Sequence, residues 1–212
     1  MDTNTENLED YNLMTIPQVL FRNAAQFGEA RAAVREKAYG IWRRYSWSDY
    51  YRYVQKTAGG FAALNLRRGQ VVCLIVENHA EWLFCEIAAH SLGASTLNLF
   101  TSSVAEELCA SILRANCSIV VAQDQEQVDK LLEIKDKLKQ ISKVVYIDPT
   151  GMSSYESNPW LIGYAQLLEE GEQFLAKNES FFEKEIKKGS PEDVAVMIQT
   201  SGTTGIPKLA ML

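Results

Sequence analysis

Apolar positions along the chain change period several times, and each change marks an element. Thr15 precedes Ile16, Val19, Leu20, Ala24 and Phe27, a helical spacing that Gly28 should stop. Alternation then takes over in Ala33-Val34 and from Ile41-Trp42 to Tyr45, on either side of Lys37 to Gly40, which predicts a short hairpin. Ser46 or Ser48 opens a second helix carrying Tyr51, Val54, Ala58, Phe61 and Ala62, expected to run to about Gly69.

From Val71 the chain alternates short β-branched runs with amphipathic stretches, the pattern of a parallel sheet with crossover helices. Strands are expected over Val71 to Val76, Ser95 to Leu99, Ser118 to Ala122, Lys143 to Ile147 and Val194 to Ile198. Two segments have capping-box spacing before a helix, Asn78-His79-Ala80-Glu81 and Ser103-Val104-Ala105-Glu106, and Gly93 should close the first of these helices. Asp124 opens a third, with Val128, Leu131, Leu132, Ile134 and Leu138 inward and Lys135, Asp136, Lys137 and Lys139 on a solvated face. A turn at Asp148-Pro149-Thr150-Gly151 begins a long connection, and Leu161 to Phe182 reads as a helix broken at Gly171. Glu183 to Lys188 is a mixed-charge run that reads as solvated. The fold class is therefore α/β, with a polar leader over 1–14 and one domain from 15. Within that domain lie a βα-alternating core at 71–147, a connection and helix at 148–193, and a last strand with its loop at 194–212.

Composition narrows the function. Of 212 residues, 47% are hydrophobic, so a buried core is within reach, and the net charge of −6 with no basic cluster free of acids excludes a nucleic-acid footprint. The same balance disfavours electrostatic attraction to an anionic membrane but leaves open contact through an apolar patch. The polar, acidic start lacks the pattern of a secretory signal, and no apolar run approaches a membrane span. Cys73, Cys85, Cys109 and Cys117 form no C-x-x-C pair and read as reduced, buried thiols of a cytoplasmic protein.

The chemistry concentrates in Thr200-Ser201-Gly202-Thr203-Thr204-Gly205-Ile206-Pro207-Lys208, directly after an apolar strand. Gly202 and Gly205 let main-chain N–H groups approach an anion, the hydroxyls of Thr200, Ser201, Thr203 and Thr204 add donors, Pro207 stiffens the exit and Lys208 brings a compact positive charge. A Walker A loop needs glycines five positions apart, whereas these are three apart and Leu209 follows the lysine. On residues alone, phosphate binding competes with a flexible linker. His79 and His90, each within an apolar helical stretch, are expected to be structural, and Trp82, Phe84 and Phe100 to be core residues before ligand contacts.

The run Ile198 to Lys208 resembles the signature loop of the adenylate-forming superfamily, which includes acyl-CoA synthetases, luciferases and peptide-synthetase adenylation domains. Asn78 to Trp82 is similar to that family's N-x-x-E-W segment, Gly93-Ala94 to its following G-A, and Arg68 to Val72 to its G-D-x-V strand entry, with Gln70 in place of aspartate. Thr101-Ser102-Ser103 with Glu106-Glu107, and Asp124 to Lys130, look most like the long-chain fatty-acyl branch. Leu209 departs from the glycine common after the lysine.

The resemblance implies part of the large N-terminal domain of the adenylate-forming fold. The implied activity joins a fatty acid to AMP with loss of pyrophosphate, then passes the acyl group to coenzyme A. In that family setting, Thr200 to Lys208 would grip the ATP phosphates, with Mg²⁺ against Thr200 and Lys208 as the catalytic cation. Alternatives are a ligase for another carboxylic acid and a non-catalytic nucleotide-binding or interaction module. The family's later motifs have no counterpart in these 212 residues, so the isolated chain is expected to be inactive and its phosphate loop, four residues from the last position, poorly held.

Overall fold

The computed structural model describes residues 14–38, 40–200 and 208–212. Helix α1 (Ile16–Phe27) starts at Thr15 and stops at Gly28, whose φ of 49° suits a residue without a Cβ. Strands β1 (Ala32–Ala38) and β2 (Ile41–Ser46) then pair antiparallel as a two-stranded ribbon separate from the main sheet. Ser46 caps α2 (Trp47–Ala63) by accepting from the Asp49 main-chain N–H at 3.0 Å, and the Asp49 carboxylate accepts from the Ser46 N–H at 3.0 Å.

Beyond these elements lies one seven-stranded sheet. Its strands are β3 (Val71–Ile75), β4 (Ser95–Asn98), β5 (Cys117–Ala122), β6 (Lys143–Tyr146), β7 (Leu161–Gly163), β8 (Val196–Thr200) and β9 (Lys208–Met211). Across the sheet the order is β7-β6-β5-β3-β4-β8-β9, and every pairing is parallel except β8 with β9. The helices are α3 (Ala80–Ser91), α4 (Ala105–Arg114), α5 (Gln125–Glu133), α6 (Tyr164–Lys177) and α7 (Phe181–Lys187).

Side-chain alternation along β3 splits the interior into two layers. Val72 and Leu74 pack with Phe61 of α2, Phe84 of α3 and Leu167 of α6. Val71, Cys73 and Ile75 pack with Leu108 of α4 and Leu131 of α5. Both faces of β3 are thus covered, which explains its unbroken apolar run. All four cysteines are buried and unbridged.

Several boundaries differ from expectation. Helix α2 ends at Ala63 rather than near Gly69, because Leu64 forms its C-cap and Asn65 turns left-handed at φ 64°. The anticipated box at Asn78 is not used: His79 is the N-cap of α3, and the Glu36 carboxylate of β1 accepts from the Ala80 N–H at 3.3 Å. Helix α4 likewise starts from Val104 without a side-chain cap, its first turn carrying Glu106 and Glu107, which the helix dipole favours. Leu161 to Gly163 is an edge strand, and α6 runs through Gly171 without a break. Gly171 lies against α2, where an added Cβ at Gly59 would come within 2.6 Å of the Gly171 carbonyl oxygen. The charged run is the helix α7, whose Glu183 accepts from Tyr51 at 3.1 Å and whose Glu185 pairs with Lys188 at 2.5 Å.

Candidate functional site at the carboxyl ends of the sheet

The sheet sends consecutive helices to opposite faces at its centre. Strand β3 leads into α3 on one layer and its neighbour β4 leads into α4 on the other, so the two outgoing loops diverge. Open parallel sheets bind ligands in the gap this leaves beyond the strands' carboxyl ends. Here the gap is a crevice of about 680 Å³ bounded by Val76 to His79 after β3, Asn98 at the end of β4 and Leu99 to Ser102 after it, Trp82 of α3, and Val196, Ile198 and Gln199 of β8. That volume is in the ordinary range for small-molecule sites.

Two hydrogen bonds tie its walls. Thr101 donates its hydroxyl to the Glu77 carboxylate at 3.1 Å, and the Trp82 indole N–H donates to Asn98 Oδ1 at 3.2 Å. Phe84, expected in the core, is there at 1% exposure. Phe100 is not: at 73% exposure it stands at the mouth of the crevice, with Ile198 also exposed, because β4 ends before it and the chain turns outward.

The phosphate-type loop leaves from this end of the sheet. Thr200 is the last residue of β8 and Lys208 the first of β9, and they are register partners, with the Thr200 hydroxyl donating to the Lys208 carbonyl at 3.3 Å. Both side chains are exposed. Ser201, Gly202, Thr203, Thr204, Gly205 and Pro207 lie outside the described residues. The expectation that the loop is poorly held falls on residues outside the described ones, whereas the stretch after it is paired. Lys208 to Met211 form β9, and Leu212 exchanges main-chain hydrogen bonds with Val196, at 3.0 and 3.2 Å. Each end of the loop is therefore clamped by ladder hydrogen bonds.

Beneath the crevice runs a polar line that the sequence reading passed over. Asn98 donates to the Glu86 carboxylate at 3.0 Å, Thr96 donates to the same oxygen at 3.3 Å, and His90 Nε2 lies 3.2 Å from the Thr96 hydroxyl. With the Thr96 proton directed at Glu86, the His90 Nε2–H is the donor, which leaves Nδ1 as the deprotonated nitrogen, and Nδ1 has no partner. Burial pushes the His90 pKa down to about 4, partly offset by the nearby Ala195 main chain. Trp82, Glu86 and His90 recur every four residues along one face of α3, a spacing visible in the sequence. His90 is thus tied into the layer beneath the crevice through Thr96.

His79 is the N-cap of α3, its Nδ1 3.1 Å from Glu36. With Glu81 these are the one grouping among the described residues whose donor atoms could meet on a metal ion. The Ala80 N–H and the helix N-terminus already occupy Glu36, and the dipole there opposes a cation, so helix capping accounts for the cluster.

A doubly wound sheet whose strand β8, between β4 and the edge strand β9, is followed by a glycine- and hydroxyl-rich sequence defines a nucleotide-handling α/β protein. Residues 20–212 match the family model for AMP-binding enzymes, and the chain belongs to that family. Among curated proteins it is similar to the long-chain-fatty-acid–CoA ligase ACSBG2 of Xenopus laevis, 27% identical over 210 residues, covering 97% of this chain and 28% of the relative. The chain thus spans little more than a quarter of that relative's length. Among solved structures, it superposes with a TM-score of 0.69 and 20% identity on a Rhodopseudomonas palustris protein assigned to the long-chain-fatty-acid CoA ligases, covering 95% of this chain and 45% of that one. The anthranilate CoA ligase AuaEII in complex with anthranoyl-AMP gives 0.65 at 17% identity, with coverages of 92% and 33%. At these identities the structural likenesses establish a shared fold. No helix among the described residues is long and apolar enough to cross a membrane.

Proposed function

We propose that this chain is the phosphate-gripping part of a cytoplasmic ligase that activates a long-chain fatty acid with ATP, forming acyl-AMP and pyrophosphate, and then transfers the acyl group to coenzyme A. The observation that carries it is the placement of Thr200 and Lys208 as partners at the carboxyl end of the sheet, in a chain of the AMP-binding family. The choice of acid rests on the fatty-acyl ligases among its relatives, and the choice of compartment on four unbridged thiols.

The chemical obstacle is charge, since a carboxylate must reach an α-phosphate that already bears negative oxygens. Lys208, its backbone anchored by β9 and its side chain exposed, supplies an ammonium that offsets negative charge as pyrophosphate departs. Ser201, Gly202, Thr203, Thr204, Gly205 and Pro207 complete the grip through hydroxyl and main-chain donors. Thr200 fits a Mg²⁺ ligand: its hydroxyl spends its proton on the Lys208 carbonyl, leaving lone pairs of a hard oxygen facing outward. The bound ion would neutralise phosphate charge.

The test is acid-dependent exchange of pyrophosphate into ATP by the full-length protein across a panel of acids. Exchange is expected to be strongest with long-chain fatty acids. Strongest exchange with aryl, amino or short acids would overturn the choice of substrate, and retained ATP binding without exchange would leave a nucleotide-binding module.

A further inference from the structure

We propose that the outer face and tip of the β1–β2 ribbon form a docking surface for an anionic lipid bilayer. The ribbon stands apart from the main sheet, and its inner face is spoken for: Val34 and Tyr45 pack against the core, and Tyr45 meets Phe84 edge-on at 5.4 Å. Alternation puts Arg35, Lys37, Trp42 and Arg44 on the opposite face, where Arg35 is the direct partner of Arg44 and Lys37 of Trp42. Like charges facing each other across a ribbon weaken it, so an anionic partner would relieve a cost already built in.

Charge complementarity identifies the occupant. The protein carries a net charge of −6, yet residues 31–44 hold five basic side chains and one acid, Glu36. Glu36 is turned inward, onto the Ala80 N–H and His79. None of Arg35, Lys37 and Arg44 forms an ion pair with another described residue, and Arg44 donates to the Glu29 and Ala30 carbonyls.

At the tip, Ile41 is 70% and Trp42 66% exposed, adjacent in sequence, with the Lys37 ammonium 6.0 Å from the Trp42 ring. An exposed indole rimmed by long cationic side chains, with Ile41 on the other face of the same tip, suits the boundary between acyl chains and headgroups. There the rings enter and the charged ends snorkel back to phosphate.

The surface needs no substrate, so it is tested without one. The 212-residue chain is sedimented with vesicles of phosphatidylcholine containing roughly one-third phosphatidylserine, and with phosphatidylcholine alone. The chain should pellet with the mixed vesicles, bind the neutral ones more weakly, and be released at about 1 M salt, where screening is nearly complete. Replacing Arg35 and Lys37 together by glutamine should weaken binding on the order of 25-fold, about fivefold per charge. Trp42→Ala should weaken it roughly tenfold. Both variants change only side chains on the exposed face: Trp42→Ala should keep the wild-type thermal midpoint, the double glutamine variant, relieved of the Arg35–Arg44 repulsion, should match or slightly exceed it, and Lys139→Gln, on a solvated turn, should bind as the wild type does.

Wild-type chain remaining in the supernatant, or variants binding as tightly as wild type, overturns the proposal. So does a Trp42-dependent dimer in vesicle-free solution, which would make the face a contact between copies. With no acid, ATP or coenzyme A present, a negative result leaves the ligase reading untouched, and absence of ligase activity leaves this one standing.

Discussion

His90 carries a consequence of burial that can be measured directly. Its folded pKa, about 4, lies below the ordinary value of 6.5, so between those limits the unfolded chain takes up a proton that the folded chain refuses. Stability from this group is therefore complete above pH 6.5 and lost as pH falls toward 4, by at most roughly 3 kcal/mol. Urea midpoints of wild type and His90→Asn should converge across that window as the pH is lowered, and parallel curves would contradict the assignment. Ser46 makes a smaller contribution: Ser46→Ala should cost about 1 kcal/mol through the lost cap of α2, read as a lower urea midpoint.

At this scale the sequence was legible where a residue acts through its neighbours in the chain, as Ser46, Asp124 and Gly28 do. It was silent about Glu36, whose role as a cap depends on a strand more than forty positions away from the helix it serves. Glu86 was overlooked for a related reason. An acid inside an apolar helix looks anomalous until β4 brings Thr96 and Asn98 against it.

Between helices, α2 and α6 approach closely through glycines. A Cβ at Gly60 would lie 2.5 Å from the Leu167 carbonyl oxygen, and one at Gly171 would fall on the Lys56 carbonyl. These glycines are contact surfaces, which is why Gly171 does not interrupt α6 as helix propensity alone implied. Gly171→Ala should therefore destabilise the protein by about 1–3 kcal/mol despite alanine's better propensity, visible as a lower urea midpoint with unchanged slope. A more stable variant would show that propensity outweighs the packing. Strands β3, β5 and β6 were readable because both of their faces are apolar, whereas β7, three residues long, carries too short a pattern to separate from the helix that follows.

For the molecule as a whole, the alternation of strands and helices gave the parallel sheet, but strand order lies in no local pattern. The return of β8 to the side of β4, after α6 and α7, is what brings Ile198 and Gln199 into the crevice wall, next to Thr200. The loop's composition pointed to phosphate, and the sheet adds the pairing of β8 with β9, which sets Thr200 and Lys208 side by side. Phe100 shows the limit: its hydrophobicity marked it for the core, and only the end of β4 reveals that it faces the crevice mouth.

The central claim is that Lys208 offsets phosphate charge in acyl-adenylate formation. Lys208→Ala in the full-length protein should lower fatty-acid-dependent pyrophosphate exchange by about 100-fold or more, the usual size of a lost electrostatic contact to a developing charge. Transfer to coenzyme A from acyl-AMP supplied directly should fall far less. Equal losses in the two half-reactions, or exchange at the wild-type rate, would contradict that claim.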